Sequence, residues 1–374
     1  CCSAQKRFSR FYSHFKHKAH LRLPQHLFRL TTTGVFAKIS FLFVETLEKQ
    51  KKYKEASEAI DKILISNTLF PDKYTYRRGK LWLRKIHNMQ HVGVKPEVIT
   101  LILEKALRDD SLNEIVKAEL EVRMEKFLHK GALGGTKLEG WKIVKREAVR
   151  LSSKSGVKEH SKKWVTTIDG TRFVETVEHL GLRLIKKSNN LDSGEHAEGS
   201  LFSTLFALVF HDSIYLNIED VFISKYQEGP LDFYSPDFFR RRSDQIEQRL
   251  EELEDSFEIV LSQVVELYEK VPDSRPIVGV GHHPERFSVA RLKSFCQCLG
   301  GDALSNILRR ILKDPAYRSG MPDLIAWSST GEDGRYLFCE VKAPNDTLSY
   351  GQKLWLKYLV SKDIHCQLLQ IAEA

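Results

Sequence analysis

One segment constrains this chain more than any other. It reads GMPDLIAWSSTGEDGRYLFCEVKAPND and runs from Gly320 to Asp346. Pro322 and Asp323 stand before a short apolar run, Leu-Ile-Ala-Trp. A polar, glycine-rich turn follows, and a second apolar run ends in Glu340-Val341-Lys342. Two such runs around a turn predict an antiparallel hairpin. Asp323 at the head of one strand then meets Glu340 near the end of the next. Side chains alternate along a strand, so Glu340 and Lys342 share one face and Val341 takes the other.

Two carboxylates and an ammonium therefore converge. Like charges repel, and burial adds to the cost. A divalent cation offsets both: Mg2+ or Mn2+ prefers oxygen ligands and keeps waters for chemistry. Lys342 beside it could orient an attacking water or stabilise charge on a phosphate oxygen. The competing reading is a surface hairpin with ordinary charges. The joint presence of Pro-Asp, two apolar strands and Glu-x-Lys favours a metal-dependent nuclease.

The rest of the chain is mostly helical in pattern. Apolar residues recur at helical spacing from Thr32 to Ser66, broken by KQKKYKEA as a tight turn. YKEASEAIDKIL has the Tyr, Ala and Leu spacing of a tetratricopeptide-type hairpin. Further helices are expected over 74–91, 96–110 and 111–130, giving a helical domain over 32–135. A boundary falls near 131–140, followed by short strands and a basic loop to about 172. Helices are then expected over 173–187, 198–215, 217–228, 236–253, 255–270, 287–298 and 302–313. The end of the chain should read helix, strand, turn, strand, helix, strand, with the last helix at 348–361. The fold class expected is α/β multidomain.

The length of 374 residues suits two or three domains. No apolar run approaches the roughly 20 residues of a membrane span, and no secretory signal is evident, so no membrane partner is expected. Six cysteines lack paired zinc-site spacing, and Cys339 reads as a buried small hydrophobe in a reducing, intracellular setting. The chain starts with Cys, and is expected to be a piece of a longer protein. The net charge of +9 hints at a polyanionic partner. Its distribution says more: residues 1–44 hold no Asp or Glu, and Lys6, Arg7, Arg10, Lys16, Lys18 and Arg22 interleave with Phe8, Phe11, Tyr12 and Phe15. That mixture suits contact with DNA phosphates.

The stretch GMPDLIAW…LFCEVKAPNDTLSYGQKLWLKYL resembles the VRR-NUC branch of the PD-(D/E)XK nucleases, which have a restriction-endonuclease-like α/β/α core. KISFLFVETLEKQKKYKEASEAI, VEHLGLRLIKKSNNLDSGEHAEGSLFSTLFALVFHD and FSVARLKSFCQCLGGDALSNILRRI extend the resemblance to the Fanconi-associated structure-specific nucleases over nearly the whole chain. It implies the end of a SAP-type DNA-binding domain at 1–31, a tetratricopeptide-like domain at 32–135 and a nuclease region at 136–374, its VRR-NUC core from about 258. It implies metal binding by Asp323, Glu340, the Val341 carbonyl and Glu198, with Lys342 the partner lysine and Gln352 a supporting residue. Glu198 as a helix-capping acid, and Gln352 as a solvated helix residue, are the plain alternatives.

The resemblance further implies a basic pocket for a 5′ phosphate. Lys80 is the candidate there, with Arg77, Arg78, Arg84, Lys117 and Arg318 as further DNA contacts. Thr347 and Gly351 depart from the basic residues of some animal members, and the 111–123 helix lacks their His. The implied activity is 5′ flap endonuclease and 5′-to-3′ exonuclease on branched or flapped DNA. Its setting is interstrand crosslink repair in the nucleus, alongside crosslink repair proteins. A Holliday-junction resolvase, or a DNA-binding scaffold without catalysis, are the alternatives.

Overall fold

The computed structural model describes residues 24–65, 75–128, 140–150, 163–168, 171–196, 199–270, 277–279, 287–329 and 334–374. The chain divides into two compact units, residues 1–137 with 231–238, and residues 138–230 with 239–374.

Helices build the first unit: α1 Thr32–Lys49, α2 Tyr53–Ile65, α3 Thr75–His91, α4 Pro96–Leu107 and α5 Glu114–Leu128. Sequence neighbours pack against one another around Val44, Ile60, Ile63, Leu81, Ile86, Leu103 and Leu120. Local signals set the ends. Thr31 caps α1 by accepting from the Gly34 amide at 3.0 Å, and Pro96 opens α4. Asn113 accepts from the Val116 amide at 2.9 Å, so α5 starts after the expected 111. Gly79 lets α3 approach α5, since a Cβ there would lie 2.8 Å from a Val116 methyl.

The second unit holds a seven-stranded sheet in the order β3-β2-β1-β7-β6-β5-β4. Its strands are β1 Lys142–Arg150, β2 Trp164–Ile168, β3 Thr171–Glu175, β4 Ser193–His196, β5 Leu324–Trp327, β6 Tyr336–Lys342 and β7 Cys366–Glu373. β7 runs parallel to both β6 and β1, and the other pairs are antiparallel. Helices α6 Val177–Asn189, α7 Ser200–Val209, α8 Ser243–Asp255, α9 Phe257–Lys270, α10 Val289–Leu299, α11 Gly301–Lys313 and α12 Tyr350–Ser361 surround it. Short helical turns occur at Gln25–Phe28, His211–Ile214 and Asp237–Arg240.

Period-2 alternation sorts the two faces. Leu324, Ala326, Cys339 and Val341 bury against Leu180 and Ile185 of α6. Phe338 and Trp327 turn the other way, onto Phe202 of α7 and Phe295 of α10, with ring centroids 5.8 and 5.3 Å apart respectively. Gly181 allows the close seat of α6, where a Cβ would fall 3.0 Å from Leu324.

Two expectations are corrected. The segment 217–228 is a loop, not a helix. Gln227 holds it open by donating to the carbonyls of Val221 and Gly229, each at 2.6 Å, and by accepting from the Ile223 amide. Asp220 adopts φ 64°, which a helix does not allow. And 236–253 is not continuous: the chain breaks between Asp237–Arg240 and α8. The end of the chain follows the expected order, with a 3-10 turn at Pro315–Arg318 ahead of β5. Among the described residues no helix is long and apolar enough to cross a membrane.

Candidate metal centre

The β5–β6 register pairs Leu324 with Cys339, and so sets Asp323 beside Glu340. Three devices hold the Asp323 loop. Gly320 takes φ 85°, and a Cβ on it would lie 3.1 Å from the Gly351 carbonyl carbon. The loop therefore passes tightly over the start of α12, and Gly351, where a basic residue was noted as missing, is buried in that approach. Trp355, fully buried in α12, donates its indole N–H to the carbonyls of Tyr317 and Ser319 at 3.2 and 3.1 Å.

Glu340 is fully buried. Its Oε1 accepts from Lys342 Nζ at 2.8 Å and from Gln352 Nε2 at 2.6 Å. The orientation of Gln352 follows from a capping box. Its own amide donates to Ser349 Oγ, and its side-chain oxygen accepts from the Ser349 amide at 2.9 Å. With the oxygen used, only the NH2 group is left to face Glu340. Val341 buries its side chain under α6, so only its backbone is available on the carboxylate side.

Glu340 Oε2 is buried without a hydrogen-bond partner. Burial, and then the Asp323 charge, push the Glu340 carboxyl up to about 7 against the pull of Lys342. Burial also raises Asp323; its contact with Glu340 and the charges of Lys342 and His196 oppose this. An orphaned carboxylate oxygen beside a second acid is what a hard cation would satisfy, so the donor set fits Mg2+ or Mn2+. Among the described residues no three His, Cys, Asp or Glu side chains gather as a metal cluster. Glu198, expected as a further ligand, lies outside the described residues.

Sequence reasoning missed two neighbours of Asp323. His196 ends β4 and pairs with Leu324, and Glu178 stands in the first turn of α6. Both act electrostatically on Asp323. His196 sits in the GEHAEGS stretch from which only Glu198 was taken. Nothing in the pattern before Val177 marks Glu178.

The basic candidates fare differently. Lys80 is exposed on α3, and Lys117 is half-buried on α5. Arg78 is bound to the Asp109 carboxylate and the Leu64 carbonyl. Arg84 bridges Glu45 and Glu48. These two guanidiniums hold helices together in the described structure, where the sequence suggested phosphate contacts. The Arg77 side chain lies outside the described residues, as do residues 1–23 with most of the basic segment. Arg318 stacks over the Phe206 ring at 4.8 Å. Burial pushes the Cys296 and Cys339 thiols up to about 12, so neither supplies a thiolate.

Comparison with known proteins extends these observations. The family model of the VRR-NUC domain matches residues 256–373, and that of the TPR domain of Fanconi-associated nuclease 1 matches residues 1–125. The second match takes in 1–31, which the sequence suggested was the end of a SAP-type domain. Fanconi-associated nuclease 1 of Homo sapiens is 29% identical over 95% of this chain and 36% of its own length. That of Danio rerio is 29% identical over 90% and 35%, and the homolog of Oryza sativa subsp. japonica 27% over 93% and 35%. The chain thus spans about a third of the length of the curated relatives it matches. A crystal structure of paFAN1 bound to 2-nucleotide 5′ flap DNA with a gap shares the fold, with TM-score 0.67 and 20% identity over 90% of this chain and 55% of that one.

Proposed function

The chain belongs to the Fanconi-associated nuclease family, and from that premise we propose that it is a metal-dependent, structure-specific DNA nuclease. Its reaction is phosphodiester hydrolysis, as a 5′ flap endonuclease and 5′-to-3′ exonuclease. Its substrate is branched or flapped DNA, and its setting is interstrand crosslink repair in the nucleus, with crosslink repair proteins as partners. One observation carries the reading: a fully buried Glu340 with an orphaned oxygen, beside Asp323, Lys342 and Gln352.

Asp323 and Glu340 would hold the divalent ion, Mg2+ or Mn2+, joined by the Val341 carbonyl and Glu198. When bound, the ion would supply Lewis-acid activation of water and neutralise charge gathering on the phosphate. The remaining work belongs to the protein. Gln352 fixes the Glu340 rotamer, so its free oxygen points one way. Lys342 neutralises the other oxygen, and its ammonium would meet a phosphate oxygen as charge develops. Lys80 and Lys117 would contribute backbone phosphate contacts in the helical unit, and Arg318 a further one beside the Asp323 loop.

Purified protein should cut a 5′-flapped duplex in Mg2+ or Mn2+ and leave a four-way junction intact, and Asp323→Ala should abolish cutting. Cleavage of junctions but not flaps would favour a resolvase. Equal cleavage by Asp323→Ala would remove this site from the reaction.

A further inference from the structure

The sheet face that carries Glu340 continues past the metal centre. β6 pairs with β7, and β7 with β1. The two registers align Lys342 with Gln370, and Gln370 with Lys145. The row beside it, Val341, Leu369 and Val144, packs into the core under α6. Side chains alternate along each strand, so Lys342, Gln370 and Lys145 share the opposite face, with Glu340. Strands lie about 4.8 Å apart, which sets the Cα of Lys145 about 10 Å from that of Lys342.

Beyond Gln370 this face is open. Ile143 and Val149 of β1 and Val174 of β3 are 49, 57 and 51% exposed. The register through Val165 puts Val149 and Val174 on the same face as Lys145. Lys145 is exposed and Gln370 half-buried, and neither side chain makes a hydrogen bond or ion pair with another described residue. Arg172, two residues before Val174, adds a second exposed cation on that face. Glu147 is also there, but it lies two residues farther than Lys145 from the row of Glu340, Leu368 and Ile143.

A cation, an amide and a cation in line suit a polyanion lying across the strands. Contacts to phosphates fix the register of a nucleic acid without reading its sequence. The inference rests on the nuclease reading and adds a binding surface to it. We propose that Lys342, Gln370 and Lys145 form a track for the substrate strand. With the scissile phosphate at Lys342, Lys145 holds a phosphate within about two nucleotides of it, and Gln370 hydrogen-bonds the nucleotide between. Lys145 thereby helps to set which bond is presented to the metal.

Anisotropy titrations of a 5′-flapped duplex in Ca2+ test this, with one uncharged methylphosphonate linkage placed in turn at each position around the junction. In the wild type, one such linkage should weaken binding by about 3- to 10-fold. Lys145→Gln should weaken the all-phosphate duplex by a similar factor and lower the slope of log affinity against log salt by about 1. It should also lose the penalty at that one linkage, and Lys145→Arg should restore it. Lys142→Gln removes the same charge from an exposed position on the other face of β1, and should keep the penalty. No sensitive linkage in the wild type, or the same penalty in Lys145→Gln as in the wild type, would overturn the track. Failure of the nuclease reading would show separately, as a wild type that binds the flap but does not cut it in Mg2+ or Mn2+.

Discussion

Replacing Glu340 with glutamine should make the metal-free protein more stable while destroying its activity. The Glu340 carboxyl has an ordinary value of 4.5 and stands at about 7 in the fold, first through burial and then through the Asp323 charge. That difference favours the protonated form by about 3 kcal/mol. The sign follows directly. The folded value lies above the unfolded one, so stability is full below about 4.5 and declines as pH rises toward about 7. Glutamine has no proton to lose and escapes the decline. Its carbonyl still accepts from Gln352 and Lys342, but the bond from Lys342 loses its charge assistance, a cost of about 1–2 kcal/mol. Urea titrations in EDTA at mildly alkaline pH should therefore show Glu340→Gln about 1–2 kcal/mol more stable than wild type. The advantage should vanish toward the acid end. Mn2+ should raise the stability of the wild type and leave the variant unmoved. A variant less stable than wild type at alkaline pH, or a wild-type profile flat between 4.5 and 7, would refute the assignment of Glu340 as a strained, uncompensated acid.

Other substitutions probe the supports. Gln352→Leu frees Glu340 and opens the capping box, and should lower Mn2+ affinity by about 10-fold, measured by titration calorimetry. Gly320→Ala meets φ 85° and a 3.1 Å contact with Gly351, and should cost about 1–2 kcal/mol in thermal melts while reducing turnover. In the helical unit, burial opposes ionisation of Asp109, but hydrogen bonds from Ser111, Trp82 and Arg78 and the Arg78 charge outweigh it and hold the carboxyl below its usual value. Its stabilisation is present above the unfolded value and is lost as pH falls through the folded one. Asp109→Asn should cost about 1–3 kcal/mol at neutral pH and flatten that acid loss in a pH-dependent melt.

What could be read from the sequence depended on whether the signal was local. Helices α1 to α3 and the β5–β6 hairpin announce themselves by apolar periodicity, and the register that joins Asp323 to Glu340 follows from alternation. β4 does not. Ser193–His196 contains no apolar side chain, and it is a strand only because β5 offers it an edge. His196, delivered by that strand, was missed for the same reason. The loop at 217–228 misled in the opposite direction: it was expected as a helix, but Gln227 claims the backbone groups a helix would need. Arg78 and Arg84 look like a basic helix face in one dimension. Their acids, Asp109 in the loop after α4 and Glu45 and Glu48 on α1, become visible as partners only when the array folds.

The central claim concerns the ion itself, and anomalous diffraction from crystals soaked in Mn2+ addresses it most directly. The account predicts a peak within coordination distance of Asp323 and of Glu340 Oε2, absent from Asp323→Ala. A wild-type map without that peak at saturating Mn2+, or with manganese bound elsewhere while cleavage proceeds, would contradict it.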